Sequence, residues 1–117
     1  MFVMLPTSPD RPRCCAPLLD GTLQADTAAE LAELFKALAD PVRLRLVSLI
    51  AASRGGEICA CDLPGLLQRS QPTVSHHLSQ LVKAGILARE QRGKWAWFRL
   101  EPQRLEALRQ CLAPADG

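Results

Sequence analysis

The chain has 117 residues, 48% apolar and 22% charged, with a formal net charge of +2 and five cysteines. Such a length fits one domain of ordinary size. Its apolar share excludes a disordered chain, and no run approaches the roughly 18 consecutive apolar residues of a membrane span. An odd cysteine count argues against a disulfide scaffold, so the thiols read as ligands, redox groups or core.

In the opening stretch, Pro6, Pro9, Asp10 and Pro12 interrupt the apolar letters and break any signal-peptide core. The expectation is a cytoplasmic protein without membrane contact, with residues 1–26 as a flexible arm and residues 27–113 as the folded unit. The arm carries Cys14 and Cys15. Leu31, Leu34, Phe35 and Leu38 then recur at helical spacing within Thr27–Ala39, with Ala and Glu between them. Asp40-Pro41 punctuates the chain as cap and first helical residue. A second helix runs through Leu44, Leu46, Val47, Leu49 and Ile50 and ends near Gly55-Gly56. Ile58 is expected in a very short extended stretch.

Asp62–Leu67 reads as a short helix with Leu63, Leu66 and Leu67 inward, Pro64 being tolerable in its first turn. Gln68-Arg69-Ser70 is a tight link. Ser70 caps a longer helix, Gln71–Ala84, that Gly85 stops. Short helix, turn and longer helix together make a helix-turn-helix. Ile86–Gln91 and Lys94–Leu100 flank Arg92-Gly93 as a β-hairpin with a basic tip. Pro102 opens a last helix with Leu105, Leu108 and Leu112 on one face, where Cys111 is expected to pack or lie at the surface. The expected fold is mainly α with a β-hairpin wing.

Charge is unevenly spread. Between Gln68 and Arg99 six basic side chains face Glu90 alone, a net of +5, which leaves −3 for the rest of the chain. Such asymmetry fits a surface that meets a polyanion. With Val74, Leu78 and Leu81 turned inward, the helix from Gln71 presents Thr73, Ser75, His76, Ser79, Gln80 and Lys83 outward. These groups suit base edges and phosphates in a major groove, Gln80 being a partner for adenine. Ser70 and Gln71 place free backbone N–H groups at the helix start for phosphate. Arg92 and Lys94 at the wing tip would track the backbone or minor groove. His76 and His77 point to different faces of one helix with no ligand-type partner four residues on. No cofactor loop or orienting carboxylate accompanies them, so no enzyme is expected.

Cys59 and Cys61 are two residues apart and do not share a face of a regular helix. They converge where extended chain enters a helix, and a helix N-terminus favours the thiolate that binds soft metals.

The run from Leu34 through Arg45 (LFKALADPVRLR), the run from Ser70 through Leu78 (SQPTVSHHL) and the hairpin Arg92-Gly93-Lys94-Trp95 resemble the ArsR/SmtB family of metal-responsive repressors over about Ala28 to Leu100. The resemblance implies a homodimer formed by the first and last helices and bound to palindromic double-stranded operator DNA. Apolar faces around Leu34 and Leu108 are expected to be free for that contact. Cys59-Ala60-Cys61-Asp62-Leu63 looks like the Cys-Val-Cys-Asp-Leu signature of the arsenic- and cadmium-sensing branches. In the arsenic branch a third cysteine just downstream completes a trigonal site, whereas Pro64 stands at that position here. The further ligand is therefore expected from Cys14 or Cys15 on the arm, as the cadmium branch draws ligands from its own arm. Three thiolates suit As(III) or Sb(III), the favoured inducers because the Ser-Gln-Pro-Thr helix start resembles arsenic sensors. Four would suit Cd(II), Pb(II) or Zn(II). A thiol–disulfide switch joining Cys14 or Cys15 to Cys59 or Cys61 is the other expectation. The family's zinc site on the last helix needs histidine, and this helix has none.

Overall fold

The computed structural model describes residues 21–113. Its elements follow in the order α1 (Ala25–Leu38), α2 (Pro41–Ala52), β1 (Glu57–Cys59), α3 (Leu63–Leu67), α4 (Gln71–Lys83), β2 (Leu87–Arg92), β3 (Trp95–Leu100) and α5 (Pro102–Leu112). Single 3-10 turns at Arg54–Gly56 and Ala60–Asp62 flank β1. This is the mainly helical fold with a β-hairpin wing that the residue pattern predicts. None of the described helices is long and apolar enough to cross a membrane.

The helix boundaries have local causes. Asp40 accepts hydrogen bonds from the N–H groups of Val42 at 2.8 Å and Arg43 at 3.2 Å, and Pro41 has no N–H to leave unpaired. Burial alone would raise the Asp40 carboxyl, but these two donors and the positive fields of His77 and Arg43 outweigh it and hold it below the ordinary range. Ser70 caps α4 by accepting the Thr73 N–H. At the other end Gly85 takes φ +80°, and a Cβ there would meet the Arg104 guanidinium at 2.7 Å. The positive φ disfavours any side chain there, while the flexible Arg104 guanidinium could move aside for one. Between α3 and α4, Gln68 adopts the left-handed φ of 55°. That conformation costs about 1–2 kcal/mol for a residue with a Cβ. The Arg69 N–H closes the turn on the Pro64 carbonyl at 3.2 Å.

Behind α4, Val74, Leu78 and Leu81 pack with Leu46, Ile50, Leu63, Ile86 and Phe98 in one core. Several of these side chains are wholly buried, each worth roughly 1.5–3 kcal/mol of transfer free energy. Three expectations need correction. Leu66 does not turn inward: it is 51% exposed, while Leu63 and Leu67 are buried. The leucines Leu34 and Leu108, expected to leave apolar faces free for a partner, are 3% and 6% exposed and lie in the chain's own core. Cys111 is fully buried beside them, so packing rather than surface is its place.

The third correction concerns the wing. Its two-residue turn is Gly93-Lys94 and not Arg92-Gly93, since Arg92 pairs with Trp95 and Gly93 carries φ 62°. Glycine at the first central position with positive φ is what a tight hairpin turn of matching twist demands. The sheet order is β1-β3-β2, all antiparallel. The extended stretch around Ile58 is thus a true edge strand, joined to the wing through Ile58↔Phe98 and Cys59↔Trp97.

Candidate nucleic-acid interface and thiol site

Side chains alternate across a strand, so moving a turn by one residue decides which face a residue occupies. Arg89 and Gln91 on β2, opposite Phe98 and Ala96, line a cleft against α4. Glu90 and Arg92 fall on the other face. There the Arg92 guanidinium lies 4.6 Å from the Trp97 ring centroid and donates to both Glu57 oxygens, at 2.8 and 3.2 Å. Its Nε donates to Glu90 at 2.8 Å. Arg92, expected at the wing tip beside Lys94, is instead half-buried and held by two carboxylates. Lys94 is exposed in the turn.

Of the other residues expected to face DNA, Ser70, Gln71, Thr73, Ser75, His76, Ser79 and Lys83 are exposed. Gln71, Ser75, Ser79 and Lys83 share the cleft with the wing, a space of about 670 Å³. Gln80 is half-buried and lines a second cleft, bordered also by Arg43, Glu33, Lys36 and Lys83, rather than the one shared with the wing. His77 is half-buried as well, and its Nδ1 has no hydrogen-bond partner. Arg89, Gln91 and Trp95 were not singled out as contacts by the sequence, yet they form the wing side of the cleft. The period-2 alternation of β2 carries the signal for the first two, since Arg89 and Gln91 share one face of the strand.

The thiols converge as expected. Cys59 ends β1, Cys61 sits in the following 3-10 turn, and their Cα atoms are 5.2 Å apart. Their sulfur atoms are joined as a disulfide, and the Cys61 N–H donates to Cys59 Sγ at 3.2 Å. Cys59 is buried, whereas Cys61 is exposed and lines the cleft beside α4. Cys14 and Cys15 lie outside the described residues. Among the described residues no group of three or more His, Cys, Asp or Glu side chains is placed to hold a metal ion. What these residues supply is one sulfur pair at the entry to the helix-turn-helix, bonded to each other here and able to act as ligands only once reduced to thiolates.

The Glu57–Arg92 pair ties the strand that carries Cys59 to the wing. Its hydrogen bonds from Arg92 hold the Glu57 carboxyl below the ordinary range. A carboxyl whose pKa is lower in the folded than the unfolded state adds stability above its unfolded value, and loses it as pH falls through the folded value. Glu57→Gln is therefore expected to melt below the wild type at neutral pH. The difference should begin to shrink near the range of free glutamate, about 4, and close as pH falls through the lower folded value. Calorimetric melting at several pH values checks this, and a gap that persisted in acid would rule the pair out as its source.

A short helix, a tight turn, a second helix with a polar outer face and a hairpin packed beside it define a winged helix-turn-helix protein. Residues 40–89 match the arsR family of bacterial regulatory proteins. The chain is 37% identical over 83 residues to the arsenical resistance operon repressor of Staphylococcus xylosus, a match covering 71% of this chain and 77% of that protein. It is 49% identical over 70 residues to the arsenic resistance transcriptional regulator ArsR1 of Pseudomonas putida, covering 60% of this chain. The match spans only 53% of that relative's length. Among solved structures, the AntR antimony-specific transcriptional repressor is similar at a TM-score of 0.63 and 33% identity, covering 79% of this chain and 83% of that one. The chain belongs to the arsR family of bacterial regulatory proteins.

Proposed function

We propose that the protein is a homodimeric transcriptional repressor that binds double-stranded operator DNA through α4 and the wing and is released by As(III) or Sb(III). Once a dithiol reductant has opened the Cys59–Cys61 disulfide, itself becoming oxidised to a disulfide, the ion is held by the thiolates of Cys59 and Cys61 and by a third from Cys14 or Cys15. The observation that carries this reading is the convergence of Cys59, on the strand paired with the wing, and Cys61, in the turn that follows it, at the entry to the helix-turn-helix. It is supported by relatives named for arsenic resistance and a structural neighbour named for antimony. Three thiols replace the three hydroxyls of arsenous acid with release of three waters and no change in oxidation state. Leu112 on α5, 55% exposed, offers apolar surface for a second copy where Leu34 and Leu108 do not. Four thiolates around Cd(II), Pb(II) or Zn(II) would need both arm cysteines.

The test is a fluorescein-labelled duplex, selected from a random pool for binding, followed by anisotropy as arsenite is added to the reduced chain. Release with three sulfurs around arsenic in X-ray absorption supports the proposal. Release by cadmium alone, with four sulfurs, would replace the inducer. The disulfide between Cys59 and Cys61 favours a second reading, in which peroxide oxidises the two thiols, is itself reduced to two waters, and loosens DNA. Peroxide-driven release without arsenite, reversed by reductant, is its signature.

A further inference from the structure

We infer that the cleft where α4 meets α1 and α2 is a second phosphate-binding surface, taking the DNA strand on the far side of the groove from the wing. The inference rests on the DNA-binding reading above and adds to it Lys36 of α1 and Arg43 of α2, which belong to neither α4 nor the wing. Its starting point is geometric. A major groove is about 12 Å wide with a phosphate strand along each side, and an α-helix with its side chains is about 10–12 Å across. A helix seated there meets phosphates on both flanks. At about 3.6 residues per turn, Lys83 falls on the outer crest of α4, with Gln71 and Ser75 toward one flank and Gln80 toward the other. The structure follows that division. Gln71 and Ser75 line the wing cleft, Gln80 lines the second cleft of about 500 Å³, and Lys83 lines both.

Charge and hydrogen bonding give the second cleft its ligand class. Lys36, Arg43 and Lys83 line it against Glu33 alone, three cations to one carboxylate, a net of +2. Glu33 reaches Lys36 at 3.7 Å, both side chains being largely exposed, and such a pair gives way readily to a stronger anion. Asp40, whose carboxylate lies in the field of Arg43, is occupied by the N–H groups of Val42 and Arg43. The Arg43 side chain is half-buried, and its Nε is shielded from water without a hydrogen-bond partner. A buried donor left unmade is costly, and phosphate oxygens are acceptors that a planar guanidinium fits closely. The apolar residues of this cleft are Ala37 and Ala84, too little surface for an apolar ligand.

The reduced full-length chain is titrated onto the selected duplex at a series of salt concentrations. Lys36→Gln and Arg43→Gln should each flatten the fall of log K with log salt by about 0.9, for one lost phosphate contact. Both should weaken all duplex sequences alike. Arg54→Gln, an exposed cation that lines neither cleft, should leave the slope unchanged. Single methylphosphonate substitutions along both strands should then reveal two sets of sensitive phosphates. Arg43→Gln should become insensitive at one set and Lys94→Gln at the other. Melting curves check folding, and Lys36→Gln, on an exposed side chain, carries the test should Arg43→Gln melt early. Unchanged slopes in the cleft variants, an equal loss in Arg54→Gln, or one shared set of phosphates for Arg43 and Lys94 would overturn the inference and leave DNA binding intact. So would saturable binding of inorganic phosphate that Arg43→Gln abolishes with no change in slope, which would make this a free-anion site. Failure of the wild type to bind any duplex at any salt would instead defeat the DNA-binding reading, and this inference with it.

Discussion

Cys59→Ser and Cys61→Ser are each expected to retain duplex affinity close to the wild type and to lose arsenite-driven release almost completely. The retained affinity follows from chemistry: serine is nearly isosteric with cysteine and puts no charge in the cleft that Lys83, Arg89 and Lys94 make positive. The lost release follows from ligand count. The described residues bring two sulfurs together, so removing either leaves one in place and destroys the chelate at the helix-turn-helix. Allosteric couplings of about 1–3 kcal/mol are usual, and 2.7 kcal/mol is roughly a hundredfold in affinity. That hundredfold is what each variant should forfeit. Cys111→Ala is the internal control, because Cys111 is wholly buried in the core. It should cost stability and leave release unchanged. Anisotropy titrations with arsenite on all three variants decide the matter, and full release from Cys61→Ser would remove the thiol pair from the mechanism.

Much of this arrangement is legible in the chain because its signals are local and redundant. Val74, Leu78 and Leu81 recur at one helical face, Ser70 caps the helix and Gly85 ends it, and all are found in those roles. What escapes is set by partners distant in sequence. Leu66 sits in a helix of five residues, too short for a period to tell inside from outside. Leu34 and Leu108 look like unpartnered faces until the tertiary fold brings other helices over them. Arg92 illustrates the sharpest failure. A basic residue next to glycine reads as a wing tip, but with Gly93-Lys94 as the turn it becomes a strand residue facing Glu57, 35 positions away. Its role then changes from a contact for DNA to a clamp between β1 and the hairpin. The sulfur pair was legible because both members lie within three residues. Its opening toward the α4 cleft was not, since that depends on β1 pairing with β3.

Leu81→Ala should separate the stability of α4 from its proposed contact with DNA. Leu81 is completely buried on the inner face of α4, in the cluster with Leu46, Ile50 and Leu63. Truncating such a leucine removes its transfer free energy and leaves a cavity, together costing about 2–5 kcal/mol. Domains of this size hold only about 5–15 kcal/mol in all, and each kcal/mol moves the melting point of a 60–100-residue domain by roughly 4–8 °C. A fall of roughly 8 °C or more is therefore expected, read by circular dichroism on heating. Yet Leu81 does not line the cleft, so below the transition the folded fraction should bind the selected duplex as the wild type does. Ser79→Ala, two residues earlier on the exposed face, should do the reverse: its melting point stays within the narrow range of surface changes, about ±0.5 kcal/mol, while its duplex affinity falls. If Leu81→Ala weakened duplex binding while melting like the wild type, α4 would not be packed by that face. The inside–outside assignment of every residue on the helix would then have to be turned.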